Sequence, residues 1–469
     1  MSKKKKNIIL ENIKLLSAGA KGVAVGKTDE GKTVLVSGAV PGDLVNARVK
    51  KAKSKYYEAE AIEVIEKSPY RVEPKCIHFG VCGGCKWQNL SYQKQLDFKQ
   101  EEVYNNIKRI GGIEDFETLP ILGSAEEYFY RNKMEFSFSN ARWLTQYEIS
   151  SEENFGNKDA LGFHIPGMWS KILDLKECFL QEEPSNEIRL AVRDYAIKNG
   201  LDFYDVRNQE GFLRTLMLRQ NSKGEWMVLF QLYREEKENR ENLFNFVLEK
   251  FPQVKTLVYA INPKGNDSIY DLDIQNYYGE GFLMEEMDGL QFKIGPKSFF
   301  QTNYKQALEL YRKTIEFAEI SENDVVYDLY TGTGTIAQYI AKKAKYVIGI
   351  ESVQEAIDAA IEHAKLNGLE NCEFHCGDMK DVFTEEFLDN HPKADVLVTD
   401  PPRDGMHQKV VEQILKLSPP KIVYVSCNSA TQARDLALMK EHYNVVKILP
   451  VDMFPQTHHV ENIALLVKK

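Results

Sequence analysis

Four short runs of apolar, largely β-branched residues recur in the C-terminal third of the chain, and they constrain the fold more than any other feature. They lie at 325–329, 346–350, 395–399 and 421–425 and alternate with segments of helical length. Short apolar runs of this kind are typical of buried parallel strands. Their alternation with helices predicts an open α/β sheet from about residue 300 onward.

A glycine-containing turn follows the first run and marks a candidate ligand site. Gly332 and Gly334 lie in the turn, and Glu351 ends the next run about 20 residues later. Glycine lets the backbone turn tightly and approach a ligand, and a carboxylate at this position suits a ribose diol. The turn has too few glycines for G-x-G-x-x-G and no lysine for a P-loop. S-adenosylmethionine therefore fits it better than a dinucleotide.

Two further acidic residues lie at expected strand ends. Asp378 follows a short apolar stretch and is a candidate adenine contact, and Asp400 begins the rigid Asp-Pro-Pro sequence after the third run. A single glycine turn is more often an unrelated tight turn than a cofactor site. The glycine turn, the acid, Asp378 and Asp400 in this order favour a methyltransferase.

Cys427 follows the fourth run directly, which places it at the edge of the sheet where ligands bind. A buried thiol without chemistry is the commonest fate of an unpaired cysteine. A nucleophile at this position has a specific use, because carbon 5 of a pyrimidine attacks a methyl sulfonium only after a thiolate adds to carbon 6. A base must then remove the proton from carbon 5. Near the C-terminus, Glu461, His458 and His459 are candidate bases.

Three of the seven cysteines lie close together near residue 80. Cys76, Cys82 and Cys85 share ten positions, and Cys178 is a candidate fourth ligand. Four thiolates suit either zinc or an iron–sulfur cluster, and the spacing alone leaves both open.

The N-terminal segment combines β-type runs with positive charge. Runs at 23–26, 33–37 and 44–49 are separated by glycine turns, which predicts a small β-barrel. Residues 1–60 contain 13 Lys and Arg against 6 Asp and Glu, although the whole chain carries a net charge of −9. Such a module can bind RNA, although a solvated basic tail explains the charge equally well. We expect a cytoplasmic protein, because no signal peptide or membrane-spanning run is evident.

The C-terminal segments together resemble the RNA uracil-5-methyltransferase family. The resemblance rests on the segments 298–303, 328–334, 400–403, 426–428 and 453–461. It implies that Cys427 is the nucleophile and Glu461 the base. It further implies that the methyl donor and the target base are contacted by Gln301, Tyr330, Gly332, Gly334, Thr335, Glu351, Asp378 and Asp400.

The N-terminal modules are similar to those of the family's larger ribosomal-RNA members. Residues 7–66 resemble a TRAM domain, and the four cysteines resemble ligands of a [4Fe-4S] cluster, with zinc as the alternative. Transfer-RNA members generally lack both modules, so the resemblance implies 23S ribosomal RNA as the substrate. Arg131 and Lys133 lie among aromatic residues, a mixture that suits contact with unpaired RNA bases and phosphates, although an ordinary strand edge also explains it.

These observations predict a three-part chain. We expect a TRAM- or OB-like barrel at 1–68, a central α+β domain at 69–90 and 121–290, and a class I, Rossmann-like methyltransferase domain at 91–120 and 291–469. We expect a monomer that acts on RNA and does not bind membranes.

Three alternative functions share parts of this sequence pattern. A transfer-RNA uracil-5-methyltransferase has the same chemistry. A cytosine-5 RNA methyltransferase would usually have a second cysteine where Arg403 and its neighbours lie. A catalytically idle RNA-binding or redox-sensing protein is disfavoured because Cys427 and Glu461 are both present.

Overall fold

The computed structural model describes residues 8–151 and 157–469. The lysines at 3–6, which contribute to the predicted basic character of the N-terminus, lie outside these ranges. The described residues form two compact units. One contains the chain up to Gly80 with 84–127 and 400–469, and the other contains 81–83 and 128–399. Within the described ranges, no helix is long and apolar enough to cross a membrane.

The N-terminal part of the first unit is a closed barrel of five strands in the order β1-β2-β3-β5-β4. The strands are β1 (Ile9–Ala18), β2 (Ala24–Lys27), β3 (Thr33–Ser37), β4 (Leu44–Ala52) and β5 (Tyr56–Glu66), and a 3-10 turn covers Ala20–Gly22. Alternate residues such as Val34, Val36, Val45 and Ala47 fill the interior. The predicted barrel is therefore confirmed, with two strands that the runs at 23–49 did not include.

A long helix and a short strand follow the barrel, namely α1 (Tyr92–Arg109) and β6 (Glu117–Thr118). Leu96, Val103 and Ile107 form the buried face of α1. Lys99 lies on the same face, and its ammonium contacts the Asp452 carboxylate at 2.6 Å in a fully buried ion pair. Burial of both charges is tolerated because each compensates the other.

The second unit begins with an eight-stranded sheet in the order β14-β13-β12-β11-β7-β9-β10-β8, followed by the hairpin β15–β16. The elements are β7 (Lys133–Ser139), β8 (Arg142–Trp143), α2 (Gln146–Ser150), β9 (Ala160–Ile165), β10 (Met168–Asp174), α3 (Ser185–Lys198), β11 (Leu213–Gln220), β12 (Trp226–Leu232), α4 (Lys237–Lys250), β13 (Val254–Ile261), β14 (Gln275–Tyr278), β15 (Leu283–Met287) and β16 (Leu290–Ile294). Most neighbours pair antiparallel, whereas β12 with β13 and β10 with β8 are parallel.

Strand β11 is buried along its whole length, including its polar residues. Met217 packs with Leu283 of the hairpin on one side of the sheet. On the neighbouring strand, Phe230 stacks on Phe244 of α4 with ring centroids 4.9 Å apart. The hairpin and the helices thus cover the centre of the sheet, which explains why polar residues of β11 are buried as well.

The second unit ends with strand–helix alternation, as predicted. The elements are α5 (Tyr304–Ala318), β17 (Val325–Leu329), α6 (Thr335–Ala341), β18 (Tyr346–Glu351), α7 (Gln354–Leu366), β19 (Cys372–Cys376), α8 (Met379–Val382), α9 (Glu385–Asn390) and β20 (Val396–Thr399). The strand order is β19-β18-β17-β20, and all neighbours are parallel. The carboxyl ends of these strands therefore lie along one edge.

The C-terminal part of the first unit contains α10 (Gln408–Leu417), β21 (Lys421–Ser426), α11 (Ser429–Met439), β22 (Tyr443–Val451) and β23 (Glu461–Lys468). The strand order here is β21-β23-β22-β6. Strand β23 pairs antiparallel with both β21 and β22. Because β23 enters where β21 ends, residues that flank the two strands at this end become neighbours.

Candidate active site

The pairing of β21 with β23 brings together the two residues expected to perform the chemistry. Ser426, the last residue of β21, pairs with Asn462 near the start of β23. Cys427 and Glu461 are the next residues at the same end of these two neighbouring strands. A thiol and a carboxyl group that are far apart in sequence therefore lie beside each other.

Cys427 is a neutral thiol in the resting site. Burial raises its pKa to about 11, with smaller contributions from the negative charges of Glu461 and Asp400. Arg403 acts in the opposite direction, through its positive charge and a side-chain hydrogen bond to the thiol. Arg403 is therefore the group that favours the thiolate, which is the nucleophilic form.

Glu461 is only 7% exposed, and this burial is the main reason that its pKa is raised to about 8. The charge of Asp400 raises the pKa further, and Arg403 opposes the shift. A carboxyl group whose pKa lies near neutrality is suited to general base catalysis.

The loop that carries Arg403 is fixed by the start of α11. The Arg403 carbonyl accepts hydrogen bonds from Asn428 Nδ2 at 2.9 Å and from Thr431 Oγ1 at 3.0 Å. Gly405 has a φ of +76°, and a Cβ atom there would lie 2.6 Å from an Arg434 nitrogen, so this turn requires glycine. Arg403 was not among the site residues predicted from the sequence, although its place directly after Asp-Pro-Pro was a usable signal.

The segment before Glu461 is fixed by its contacts with the region around α1. The carbonyl of Gln456, a residue with φ of 66°, accepts hydrogen bonds from the amides of Lys86 and Trp87 at 2.8 and 3.1 Å. Gln95 uses both ends of its side-chain amide, donating to Gln456 Oε1 at 3.0 Å and accepting from its backbone N–H at 2.9 Å. These bonds hold the chain that leads into Glu461.

The two histidines of this segment differ from Glu461 in their environment. Burial, with the charges of Lys99 and other nearby cations, lowers the pKa of His458 to about 4. This histidine is therefore neutral at physiological pH. His459 Nδ1 lies 3.5 Å from a guanidinium nitrogen of Arg403.

In the second unit, the glycine turn contacts the acid at the end of β18. The Gly332 amide donates a hydrogen bond to Glu351 Oε2 at 3.2 Å, and the amides of Ser352 and Val353 donate to Oε1 at 2.7 and 3.1 Å. A Cβ atom at Gly332 would meet no atom of the described chain within 4 Å. Space for a ligand therefore adjoins this carboxylate.

A buried hydrogen bond and a glycine with positive φ shape the same turn. Thr331 Oγ1 donates to the Asp328 carboxyl at 2.6 Å, and burial raises the pKa of Asp328 to about 7. Gly334 has a φ of 74° where α6 begins, and a Cβ atom there would lie 2.9 Å from Ala360 Cβ. Thr335, the first residue of α6, is buried.

The remaining candidate donor contacts lie on several loops. The Gly377 amide donates a hydrogen bond to the Glu351 carbonyl at 2.8 Å, which places the following residue, Asp378, near the end of β18. The Asp378 carboxylate forms a salt bridge with Lys380 at 2.7 Å. Tyr330 has a φ of 63°. The Gln301 carbonyl accepts a hydrogen bond from Asn132 at 3.0 Å. Asp400 belongs to the first unit, where its charge acts on Cys427 and Glu461.

The four candidate cluster cysteines, Cys76, Cys82, Cys85 and Cys178, are all partly exposed. The Cys76 amide donates to Gln88 Oε1 at 3.0 Å. The Cys178 backbone is held from both sides by Asn186, whose Oδ1 accepts from its N–H at 2.8 Å and whose Nδ2 donates to its carbonyl at 3.1 Å. Side-chain amides thus fix the backbone at two of these thiols.

The two candidate RNA contacts differ in their local pairing. Lys133 forms a 2.6 Å salt bridge with Glu135 on the same strand. The Arg131 amide donates to the Leu180 carbonyl at 2.7 Å, which fixes the backbone there. The Lys133 ammonium is therefore already paired with a carboxylate, and the Arg131 backbone is fixed to a neighbouring segment.

Comparisons with known proteins agree with this arrangement. Residues 271–469 match the tRNA (uracil-5-)-methyltransferase family, and residues 12–62 match the TRAM domain. The chain is 50% identical to an RNA methyltransferase of Bacteroides thetaiotaomicron, over 95% of this chain and 99% of the relative. It is 48% identical to one from Porphyromonas gingivalis, over 97% of this chain and 99% of the relative.

A solved structure covers nearly the whole chain. The Pyrococcus abyssi tRNA (uracil-54, C5)-methyltransferase, crystallised with S-adenosyl-L-homocysteine, superposes with a TM-score of 0.74 at 29% identity. The match covers 97% of this chain and 99% of the archaeal one. Fold and site thus define an S-adenosylmethionine-dependent RNA methyltransferase. The chain belongs to the RNA uracil-5-methyltransferase family, and it carries an N-terminal TRAM domain.

Proposed function

We propose that the enzyme methylates carbon 5 of uridine in 23S ribosomal RNA, with Cys427 as nucleophile and Glu461 as base. The observation that carries this proposal is the register of β21 and β23, which pairs Ser426 with Asn462 and so puts the next residues, Cys427 and Glu461, at the same end of the two strands. The raised pKa of Glu461, about 8, supports the division of roles, because it marks a carboxyl group able to exchange a proton near neutral pH.

Each proposed residue acts at a defined atom. The Cys427 thiol releases its proton to solvent, and the resulting thiolate, which Arg403 favours, adds to carbon 6 of the uracil. Addition makes carbon 5 nucleophilic, and S-adenosylmethionine supplies the electrophilic methyl group that carbon 5 takes. Glu461 then accepts the proton from carbon 5, and the bond between sulfur and carbon 6 breaks to regenerate the thiolate.

The donor is held, in this proposal, by residues around the glycine turn. Glu351 would bind the ribose diol, because its carboxylate adjoins the open space at Gly332. Asp378 would contact the adenine. By resemblance, the remaining contacts of the donor and the target base are Gln301, Tyr330, Gly334, Thr335 and Asp400.

We further propose a [4Fe-4S] cluster on Cys76, Cys82, Cys85 and Cys178. Four thiolates are a suitable donor set, and zinc is the alternative that the same set allows. Protein purified without air should be brown and should contain iron. Colourless protein with one equivalent of zinc would contradict the cluster. In Cys178→Ser, an unchanged iron content would remove this residue from the ligand set.

The choice of ribosomal RNA rests on the resemblance of the N-terminal modules to those of ribosomal-RNA members. Transfer RNA is the second candidate, because the archaeal tRNA enzyme matches this chain over nearly its full length. The presence of an N-terminal module therefore does not by itself exclude transfer RNA. We expect the enzyme to act as a monomer, with the barrel and the central domain bounded as the sequence predicts.

The test compares both substrates directly. Full-length enzyme is incubated with radiolabelled S-adenosylmethionine and either unmodified 23S ribosomal RNA or unmodified transfer RNA, and the labelled nucleoside is identified after digestion. We expect 5-methyluridine in the ribosomal RNA and none with Cys427→Ala. Label confined to transfer RNA would select the second candidate, and activity in Cys427→Ala would reject the assigned nucleophile.

A further inference from the structure

A cluster of two histidines and a glutamate lies in the second unit, outside the proposed chemistry. Glu373 and His375 alternate with Phe374 on β19, so both project from the same face of this strand. His391 follows α9 and lies against them. One ligand atom from each residue, two imidazole nitrogens and a carboxylate oxygen, lies within 4.8 Å of the others.

The distances within the cluster approach those of a metal site. His375 Nε2 lies 3.0 Å and His391 Nε2 lies 3.8 Å from the same oxygen, Oε1 of Glu373. Ligands of a tetrahedral zinc ion with bonds of about 2.0–2.1 Å are roughly 3.3 Å apart. Small side-chain rotations are therefore sufficient to close the three atoms around an ion.

The surrounding hydrogen bonds orient these atoms as ligands. His391 Nδ1 lies 2.6 Å from the Phe387 carbonyl, which only accepts, so Nδ1 carries the proton and the lone pair of the neutral ring is on Nε2. Tyr346 donates its hydroxyl proton to Glu373 Oε2 at 2.8 Å, which leaves Oε1 for the cluster. Outer bonds of this kind typically fix the ring and the carboxylate of metal ligands.

The environment of His375 leaves its Nε2 atom available as a ligand. This atom is buried and makes no well-directed hydrogen bond among the described residues, despite its proximity to Glu373. The rings of His375 and His391 pack edge to face with centroids 4.9 Å apart.

We propose that Glu373, His375 and His391 bind one Zn²⁺ ion, with solvent as the fourth ligand. Two imidazole nitrogens and one carboxylate oxygen are a donor set that zinc accepts. The three side chains are 37%, 26% and 16% exposed, so an ion can reach the site from solvent. The ion would tie the end of α9 to the edge strand that leads to Asp378.

The experiment measures zinc uptake by the full-length protein, purified with its own prosthetic groups, in competition with a chelating dye. His391→Asn keeps a donor for the Phe387 carbonyl but removes the Nε2 ligand. Loss of an outer-shell partner costs about 10–100-fold in affinity. We therefore expect 10–100-fold weaker binding in Tyr346→Phe, and a larger loss, of one whole equivalent, in His375→Asn and His391→Asn.

The exposed His442, distant in sequence, provides the matched control, and His442→Asn should bind zinc as the wild type does. Glu373→Gln keeps the volume of the side chain but removes the carboxylate ligand. It is the variant to test for loss of zinc binding if a histidine variant does not fold. Cobalt uptake distinguishes this site from the cysteines, because nitrogen and oxygen ligands give no thiolate charge-transfer band. Wild type that takes up no zinc at micromolar concentrations, or an equal zinc content in wild type, His391→Asn and Glu373→Gln, would overturn the proposal.

Discussion

Substitution of Glu461 by Gln separates the two halves of the proposed reaction. The amide has nearly the same size as the carboxyl group but cannot accept the carbon 5 proton. Because Cys427 and Arg403 are unchanged, thiolate addition and methyl transfer should proceed. The covalent RNA complex should then persist, with the methyl group already on the base.

The expected magnitude follows from the burial of Glu461. General base catalysis typically contributes about 10²–10⁴-fold, and a side chain only 7% exposed leaves little room for water to replace it. We therefore expect product release to slow by about 10³–10⁴-fold, or roughly 4–5.5 kcal/mol in the barrier. Asp400 is a second carboxylate that acts electrostatically on Glu461. If Asp400 accepted the carbon 5 proton in part when Glu461 is replaced, product release would slow by less.

The assay follows labelled methyl groups through a single turnover, with denaturing gels to resolve the protein–RNA adduct. Cys427→Ala should form no adduct, and Glu412→Gln, an exposed glutamate on α10, should behave as the wild type. Release by the wild type should rise with pH and level off above about 8, because the ionised base accumulates as pH passes the raised pKa of Glu461. Normal turnover by Glu461→Gln, or an adduct without the methyl label, would refute the reasoning.

Three other perturbations test neighbouring parts of the argument. Lys99→Met should destabilise the protein by about 3–5 kcal/mol in chemical denaturation, because it leaves the Asp452 carboxylate buried without its partner, and removal of both charges should restore most of the loss. Arg403→Gln should slow adduct formation about 10–10³-fold at neutral pH and shift its pH profile upward, because a nearby cation shifts a pKa by about 1–3 units; an unshifted profile would remove Arg403 from thiol activation. Deletion of residues 1–66 should reduce the salt dependence of RNA binding while donor binding is retained, and a full salt slope would place the phosphate contacts elsewhere.

The strands that could be predicted from the sequence are those buried on both faces. The runs at 325–329 and 346–350 are short and rich in apolar, β-branched residues because they form the interior of a parallel sheet, and both are strands in the structure. Strands β1 and β5 were not identified, since each has an exposed face and β5 interleaves glutamates with its apolar residues. A half-exposed barrel strand carries a weaker signal than a buried one.

Candidate residues could be identified from their positions after predicted strands, whereas their proximity could not. Cys427 directly follows an apolar run, but the neighbour of that run is set by β23, whose pairing no local pattern specifies. Long-range pairing also brings Lys99 of α1 to Asp452. Lysine is usually exposed, so the burial of Lys99 could not be predicted from its residue type. Likewise, His391 joins Glu373 only because the chain returns to β19 after α9.

The electrostatics of the paired strand ends also suggest an order for the proposed proton transfers. A negative Glu461 raises the pKa of Cys427, so the thiolate forms most readily while Glu461 still carries its proton. With a pKa of about 8, Glu461 is largely protonated at neutral pH, which meets this condition. When sulfur bonds to carbon 6, its negative charge passes to the uracil ring as an enolate, and methyl transfer from the sulfonium then neutralises that enolate. No thiolate remains for the charge of Glu461 to oppose, so Glu461 can release its own proton to solvent and then accept the proton of carbon 5. Burial of both groups at one strand end thus does more than shield the site, because it makes the charge of each group depend on the state of the other.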